Sequence, residues 1–221
     1  MANLRGVSAS LKAPGGICAD KGQSYQSIER MAARVRRLIA PEVPVDQALP
    51  GLKLFERLDR CAVSTAHGKV LFEPAVEELP PGVEGCTRYD KDRNRIIVSL
   101  SEASYLALEE DNRRARFSFT HEVGHAVLHF HELMRAGAIS HQLAALRRGA
   151  PLDHPKYLDT EWQANAFAAA LLMPAAGLVA VEEEHEMLTP FLVSFHFKVS
   201  DEAATYRLDN FNPRRSELLD A

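Results

Sequence analysis

The segment His121-Glu122-Val123-Gly124-His125 constrains this chain more than any other. It sets two imidazoles four residues apart, with a carboxylate beside the first. On a helix, positions i and i+4 lie one turn apart and about 40° from eclipsed, so both rings leave the same face. Two neutral nitrogens held in that way bind one Zn²⁺, and Glu122 can take a proton from an attacking water without being a ligand itself. The segment must therefore be helical. A catalytic zinc usually has three protein ligands, so a third must come from elsewhere.

Three fixed residues also recur by chance, and a surface helix with two solvated histidines would carry the same pattern. The neighbours argue against that. Phe117, Phe119, Val123, Ala126, Val127 and Phe130 surround the motif, so the helix is expected to be buried on much of its circumference. Gly124 inside a helix costs about 1 kcal/mol relative to Ala. Close approach of another backbone would account for it. The helix is expected over about residues 115–134.

Two candidates compete for the third ligand. His131 completes the histidine spacing of HExxHxxGxxH, but the position of the turn glycine is Leu128, in a run (Ala126-Val127-Leu128) that favours continued helix. In a continuous helix His131 lies about 120° around from His125 and about 9 Å along the axis, too far for the same ion. His131 is read as exposed. His129 shares the motif's face but sits two turns from His121, and is read as packing or as support for a ligand. The second candidate is Glu161, at the start of Glu161-Trp162-Gln163-Ala164-Asn165-Ala166-Phe167-Ala168-Ala169-Ala170-Leu171-Leu172-Met173-Pro174. Asp159 or Thr160 can cap this helix and Pro174 fits its end. A carboxylate in the first turn of a buried helix is costly unless paired or metal-bound. It also interacts favourably with a helix N-terminus without any metal. Spacing leaves these two readings of Glu161 level.

Together the two segments resemble the ImmA/IrrE family of metallo-endopeptidases, which pairs an F-x-x-x-HExGH helix with a later E-x-x-AN-x-FA-x-x-LLMP helix. This chain reads Phe117-Ser118-Phe119-Thr120-His121-Glu122-Val123-Gly124-His125, then the run from Glu161 to Pro174. The resemblance spans about residues 25–211 and is strongest in these two helices. It implies that Glu161 joins His121 and His125 as a metal ligand, with Glu122 catalytic. It also implies that Asn165, one turn beyond Glu161, orients a ligand histidine, as ligating histidines usually require. The implied activity is that of a soluble zinc-dependent endopeptidase. Its implied substrate is a partner helix-turn-helix transcriptional repressor in a stress or mobile-element circuit. Zn²⁺ is the expected cofactor, and Mn²⁺ suits the same donors. The alternative is a non-proteolytic, metal-containing regulator that binds a repressor. Intact Glu122 argues against it, because a structural site closes its fourth position and needs no base. The extra DNA-binding or sensory domain common in the family is not expected in a chain of this length.

The fold expected is α+β: a mostly helical zincin-like core with a small antiparallel sheet and a short C-terminal helical part. Residues 1–22 read as a loose N-terminal extension, 23–180 as the metallopeptidase core, and 181–221 as a helix-turn-helix-like subdomain packed on it. Within the core, Ile28, Met31, Ala32, Val35, Leu38 and Ile39 mark an amphipathic helix over 25–40. A short helix follows Pro50, Val70-Leu71-Phe72 reads as a strand, and 85–89 with 96–100 read as paired strands. Ser101 caps a helix through about Glu110. Residues 135–158 are polar and irregular, either bordering the cleft as a lid or forming an inert connection. A tetrahedral oxyanion needs a donor. His141, His154, Tyr157, His196 and Tyr206 are candidates between which the sequence does not choose.

Charge and cysteines narrow the setting. A net charge of −4 gives no general attraction to nucleic acid or membrane. From residue 181 onward nine acids face four bases, so the C-terminal helices lack the basic footprint of a DNA reader. Cys18, Cys61 and Cys86 are odd in number, without a CxxC pair. They fit a reducing compartment and offer no second metal site. No stretch resembles a secretory leader or a membrane span, so the cytoplasm is expected.

Overall fold

The computed structural model describes residues 18–136, 138–139 and 154–221. Its helices are α1 (Tyr25–Ile39), α2 (Gly51–Glu56), α3 (Glu102–Glu109), α4 (Arg113–Leu128), α5 (Phe130–Ala136), α6 (Thr160–Leu172), α7 (Ala175–His185), α8 (Pro190–Phe197), α9 (Asp201–Phe211) and α10 (Arg215–Leu219). Strands β1 (Ala62–Thr65), β2 (Gly68–Val76), β3 (Gly85–Asp90), β4 (Arg95–Leu100) and β5 (Ala138–Ile139) form one sheet, in the order β1-β2-β4-β3-β5. The architecture is α+β, as expected. The sheet is mixed rather than antiparallel, because β2 runs parallel to β4. Residues 77–84, with Pro80, Pro81 and Gly82 at φ 81°, carry the chain past the site of β4 before β3 begins. The β3–β4 hairpin then brings β4 back between them.

Local signals place the elements. Ser24 caps α1 reciprocally with Ser27, and Ile28, Ala32, Val35 and Ile39 form its buried face. Ser101 caps α3 and Asn112 caps α4 through the first free backbone N–H groups. Asp159, of the two candidates, caps α6 by accepting from Trp162 N at 2.8 Å. Alternation in β4 is lost, with Ile96 through Leu100 all buried, because β4 lies inside the sheet with helices against it. No single helix among the described residues is long and apolar enough to cross a membrane. α6 and α7 qualify only jointly, across a 45° bend, and α6 is buried in the core.

Three expectations change. The motif helix does not run to 134. α4 stops at Leu128, His129 leaves helical geometry at φ −120°, ψ 34°, and α5 resumes at Phe130. The ring of His129 is held by partners on two other turns, and that tertiary demand overrides the helical preference of Ala126-Val127-Leu128. The N-terminal stretch is not loose over 18–22. Ala19 N donates to Leu158 O at 2.7 Å and Asp20 N to Glu132 Oε1 at 2.6 Å. Residues 1–17 lie outside the described residues. The boundary drawn at 180/181 falls inside α7.

Buried arginines bind the C-terminal helices to the rest. Arg207 on α9 donates to Glu29 Oε2 on α1 at 2.7 Å and to Met173 O at 2.9 Å. Glu29 Oε1 also accepts from Ala175 N at the start of α7, at 2.7 Å. Arg116, fully buried on α4, reaches the carbonyls of Leu49, Phe197 and Lys198. Burial pulls its pKa below the usual arginine range, with Asp111 opposing.

α4 and α6 cross at their backbones. A Cβ on Gly124 would lie 3.1 Å from both Cα and O of Ala164 and 3.2 Å from the Phe167 ring. This is the close approach that the helical glycine called for. We predict that Gly124→Val destabilises the protein by about 1–3 kcal/mol through overpacking, measured as a lowered urea midpoint. A variant as stable as the parent would show that the helices can separate freely at this point.

Candidate metal centre

The crossing brings together donors from two helices. His121 and His125, one turn apart on α4, aim their Nε2 atoms at a common point 2.9 Å from each other. Glu161, in the first turn of α6, sets Oε2 3.3 Å from His121 Nε2 and Oε1 3.2 Å from His125 Nε2. All three side chains are at most about 5% exposed. Burial alone lowers the His121 pKa, but the hydrogen bond and charge of Glu161, with the charge of Glu122, outweigh it and raise the value.

The hydrogen bonds behind the rings fix which nitrogen carries the proton. Asn165 Oδ1 lies 2.9 Å from His121 Nδ1 and accepts its N–H, leaving the Nε2 lone pair aimed inward. His125 is fixed by a longer chain. Gln163 donates through Nε2 to Lys21 O at 3.0 Å and Tyr157 O at 2.8 Å, so its amide orientation is set. Its Oε1 must therefore accept from His129 Nε2, 3.0 Å away. The opposite nitrogen, His129 Nδ1, is then an acceptor. It takes the Nδ1–H of His125 at 2.9 Å, and His125 Nε2 is left with a lone pair. Burial, then the neighbouring His125, pushes the His129 pKa well below the usual histidine range, so the His129 ring stays neutral.

These donors fit a divalent ion. Two neutral imidazoles and one carboxylate suit zinc-like metals, and donor separations near 3 Å are those of atoms about 2 Å from one shared ion. His131 is exposed on α5 and is not among them.

Glu122 is buried beside His121, under β3. Thr87 Oγ1 on β3 lies 2.7 Å from Glu122 Oε2 and 2.9 Å from the Glu122 carbonyl, so its one hydroxyl hydrogen is shared between two acceptors of the same residue. Gly85, two residues back on the same face, leaves room for the side chain: a Cβ there would lie 2.9 Å from Glu122 Cγ. Sequence reasoning gave Thr87, Gly85 and Gln163 no part. Gln163 sits two residues from Glu161, so a search for polar residues near the motif helix would have found it. The strand residues carry no such mark.

Four of the five residues considered as oxyanion donors are described, and they have separate surroundings. His154 Nε2 faces Asp159 Oδ2 at 3.4 Å, and His196 faces His185 at 2.8 Å. Tyr206 lies by Tyr25 and Trp162, and burial foremost raises its pKa. Tyr157 has an exposed ring against Gly22 and gives its carbonyl to Gln163. His141 lies outside the described residues.

A family model described as the IrrE N-terminal-like domain, of the M78 peptidases, matches residues 88–209. That range covers more than half of the chain and contains every donor named above. It begins further along than the resemblance read from the two helices. The chain belongs to this peptidase family. A search of curated proteins finds no match.

The relay predicts a graded outcome. His129→Ala should weaken metal binding by about 10–100-fold, and Gln163→Leu should do so by less, because His129 then keeps its place but loses its fixed tautomer. Competition with a chelator measures both. Parental affinity in His129→Ala would remove the relay from the metal site.

Proposed function

We propose that this member of the M78 peptidases is a zinc-dependent endopeptidase. The observation that carries the reading is the convergence of His121, His125 and Glu161 in one buried cluster, with an unligated carboxylate, Glu122, next to the first ligand. His121 Nε2, His125 Nε2 and Glu161 would hold the ion. Bound there, Zn²⁺ supplies Lewis-acid activation of water and of the scissile carbonyl.

The chain's own residues do the rest. Glu122 takes a proton from the attacking water and passes it to the leaving amine as the C–N bond breaks. Thr87 holds the Glu122 carboxylate by Oε2, and Oε1 is left to take the proton. Asn165 and the His129–Gln163 pair orient the two imidazoles with their Nε2 atoms inward, where metal binding needs them. The buried setting strengthens each of these interactions by excluding water.

The substrate we infer is a partner helix-turn-helix repressor, cleaved to relieve repression in a stress or mobile-element circuit. The likeness of the two helices to the ImmA/IrrE family supports this. The acidic C-terminal part is consistent with a protein substrate rather than with DNA.

Glu122→Gln should keep its metal and lose about 10²–10⁴-fold in cleavage rate, the usual worth of a general base. Glu161→Ala should lose the metal of the buried site. The test incubates the wild type and Glu122→Gln with a purified helix-turn-helix repressor as candidate substrate, with and without a chelator, and follows the fragments by mass spectrometry. Fragments in every arm, or in none, would defeat the peptidase reading for that substrate. Zinc binding in Glu161→Ala equal to that of the wild type would remove Glu161 from the ligand set.

A further inference from the structure

The α7–α8 corner carries a second group of metal-binding side chains. His185 is the last residue of α7 and His196 lies in the last turn of α8. Between them Glu186 adopts a left-handed conformation, φ 61°, which reverses the chain. The reversal brings the two imidazoles together, with Nε2 to Nε2 at 2.8 Å, ring centroids 4.9 Å apart and planes at 66°. The buried pair on α4 has nearly the same arrangement: 2.9 Å, 4.7 Å and 74°. Each pair also has a glutamate beside it. Glu184 Oε2 lies 3.8 Å from His185 Nε2, and the three donor atoms all lie within 4.8 Å of one another.

We propose that Glu184, His185 and His196 form a second divalent-metal site, of the zinc class. The proposal does not depend on the catalytic reading of the first. Two imidazoles and a carboxylate suit Zn²⁺, or Cu²⁺ and Ni²⁺ in its place. The local field favours a cation twice over. The site lies at the C-terminal end of α7, where unpaired carbonyls carry partial negative charge. It also adjoins the acidic run Glu182-Glu183-Glu184 and Glu186. Of the nearby bases, Arg215 is taken up by Glu182 at 2.5 Å.

The site differs from the first in exposure. Both histidines are half-buried and Glu184 is exposed, so the carboxylate rotates freely and the remaining positions are open to water. It is therefore an exchangeable site. When filled, it pins the end of α7 to α8 across the turn at Glu186. That same corner presents the exposed apolar side chains Met187, Phe191 and Phe195, so occupancy fixes how they are displayed.

Equilibrium dialysis of the full chain against Zn²⁺, with metal analysis, tests this. The wild type should hold two equivalents, His196→Ala one, Glu161→Ala one, and the double variant none. His196→Gln, which keeps a polar side chain of similar size, is the second variant should alanine disturb the corner, and circular dichroism checks that each is folded. Two equivalents in both His196 variants would overturn the proposal. A single wild-type equivalent that survives in both His196 variants and vanishes in Glu161→Ala would overturn it too, while leaving the buried site standing. A single equivalent lost only in the His196 variants would support the outer site and remove the inner one.

Discussion

The site depends on how closely α4 and α6 approach. Packed helices usually lie 8–10 Å apart, held off by their side chains. Here the glycine at 124 lets the Ala164 backbone come to 3.1 Å from where a Cβ would stand. At this crossing histidine and glutamate side chains rooted on separate helices bring donors within about 3.3 Å of one another. The glycine's cost to the helix, about 1 kcal/mol, is thus offset by contacts that a helix made of better formers would not reach.

Bringing the donors together also removes them from water, which is expensive for polar groups without partners. The protein answers with directed hydrogen bonds. Asn165 serves His121, Thr87 serves Glu122, and His125 leads through His129 and Gln163 to the carbonyls of Lys21 and Tyr157. Those two carbonyls belong to strands of chain that are themselves joined, through Ala19 N to Leu158 O and Gln23 N to Tyr157 O. A segment whose composition reads as loose is thus the far end of the chain of bonds that sets a ligand's tautomer. Its order is a requirement of the site rather than an ornament of the fold.

This explains what the residues alone could and could not give. Helical periodicity is local, so α1, the placement of His121 and His125 on one face, and the helix beginning near Glu161 were all legible. The β3–β4 hairpin was legible for the same reason. Parallel pairing of β2 with β4 was not, because a crossover leaves no mark within either strand. The break at His129 was missed because neighbouring residues favour helix, and the forces that end it come from Gln163, 34 residues away. Glu161 stood level between ligand and helix-end charge until its sequence context was compared with a family. Its position opposite the histidines is set by packing between helices, which spacing does not encode. Thr87 and Gly85 lie in a strand whose pattern is that of any half-buried strand, so their relation to Glu122 emerges only when β3 is laid on α4.

The two histidine–glutamate groups differ in what surrounds their donors, which in the proposed readings separates a catalytic centre from a binding site. Their imidazole pairs are almost superimposable in spacing, so donor geometry does not distinguish them. Surroundings do. At the buried group every ring nitrogen facing away from the centre has a partner, and a further carboxylate stands beside the ligands with its own hydrogen bond. At the outer group the carboxylate is itself the third donor and is solvated. A charge in a water-excluded setting interacts several-fold more strongly than one at the surface, and proton transfer needs a base held at a fixed distance. Among the described residues, both conditions are met where α4, α6 and β3 meet. In the proposed reading, burial and the wiring behind the donors therefore select the reactive centre, and the motif supplies only the donors.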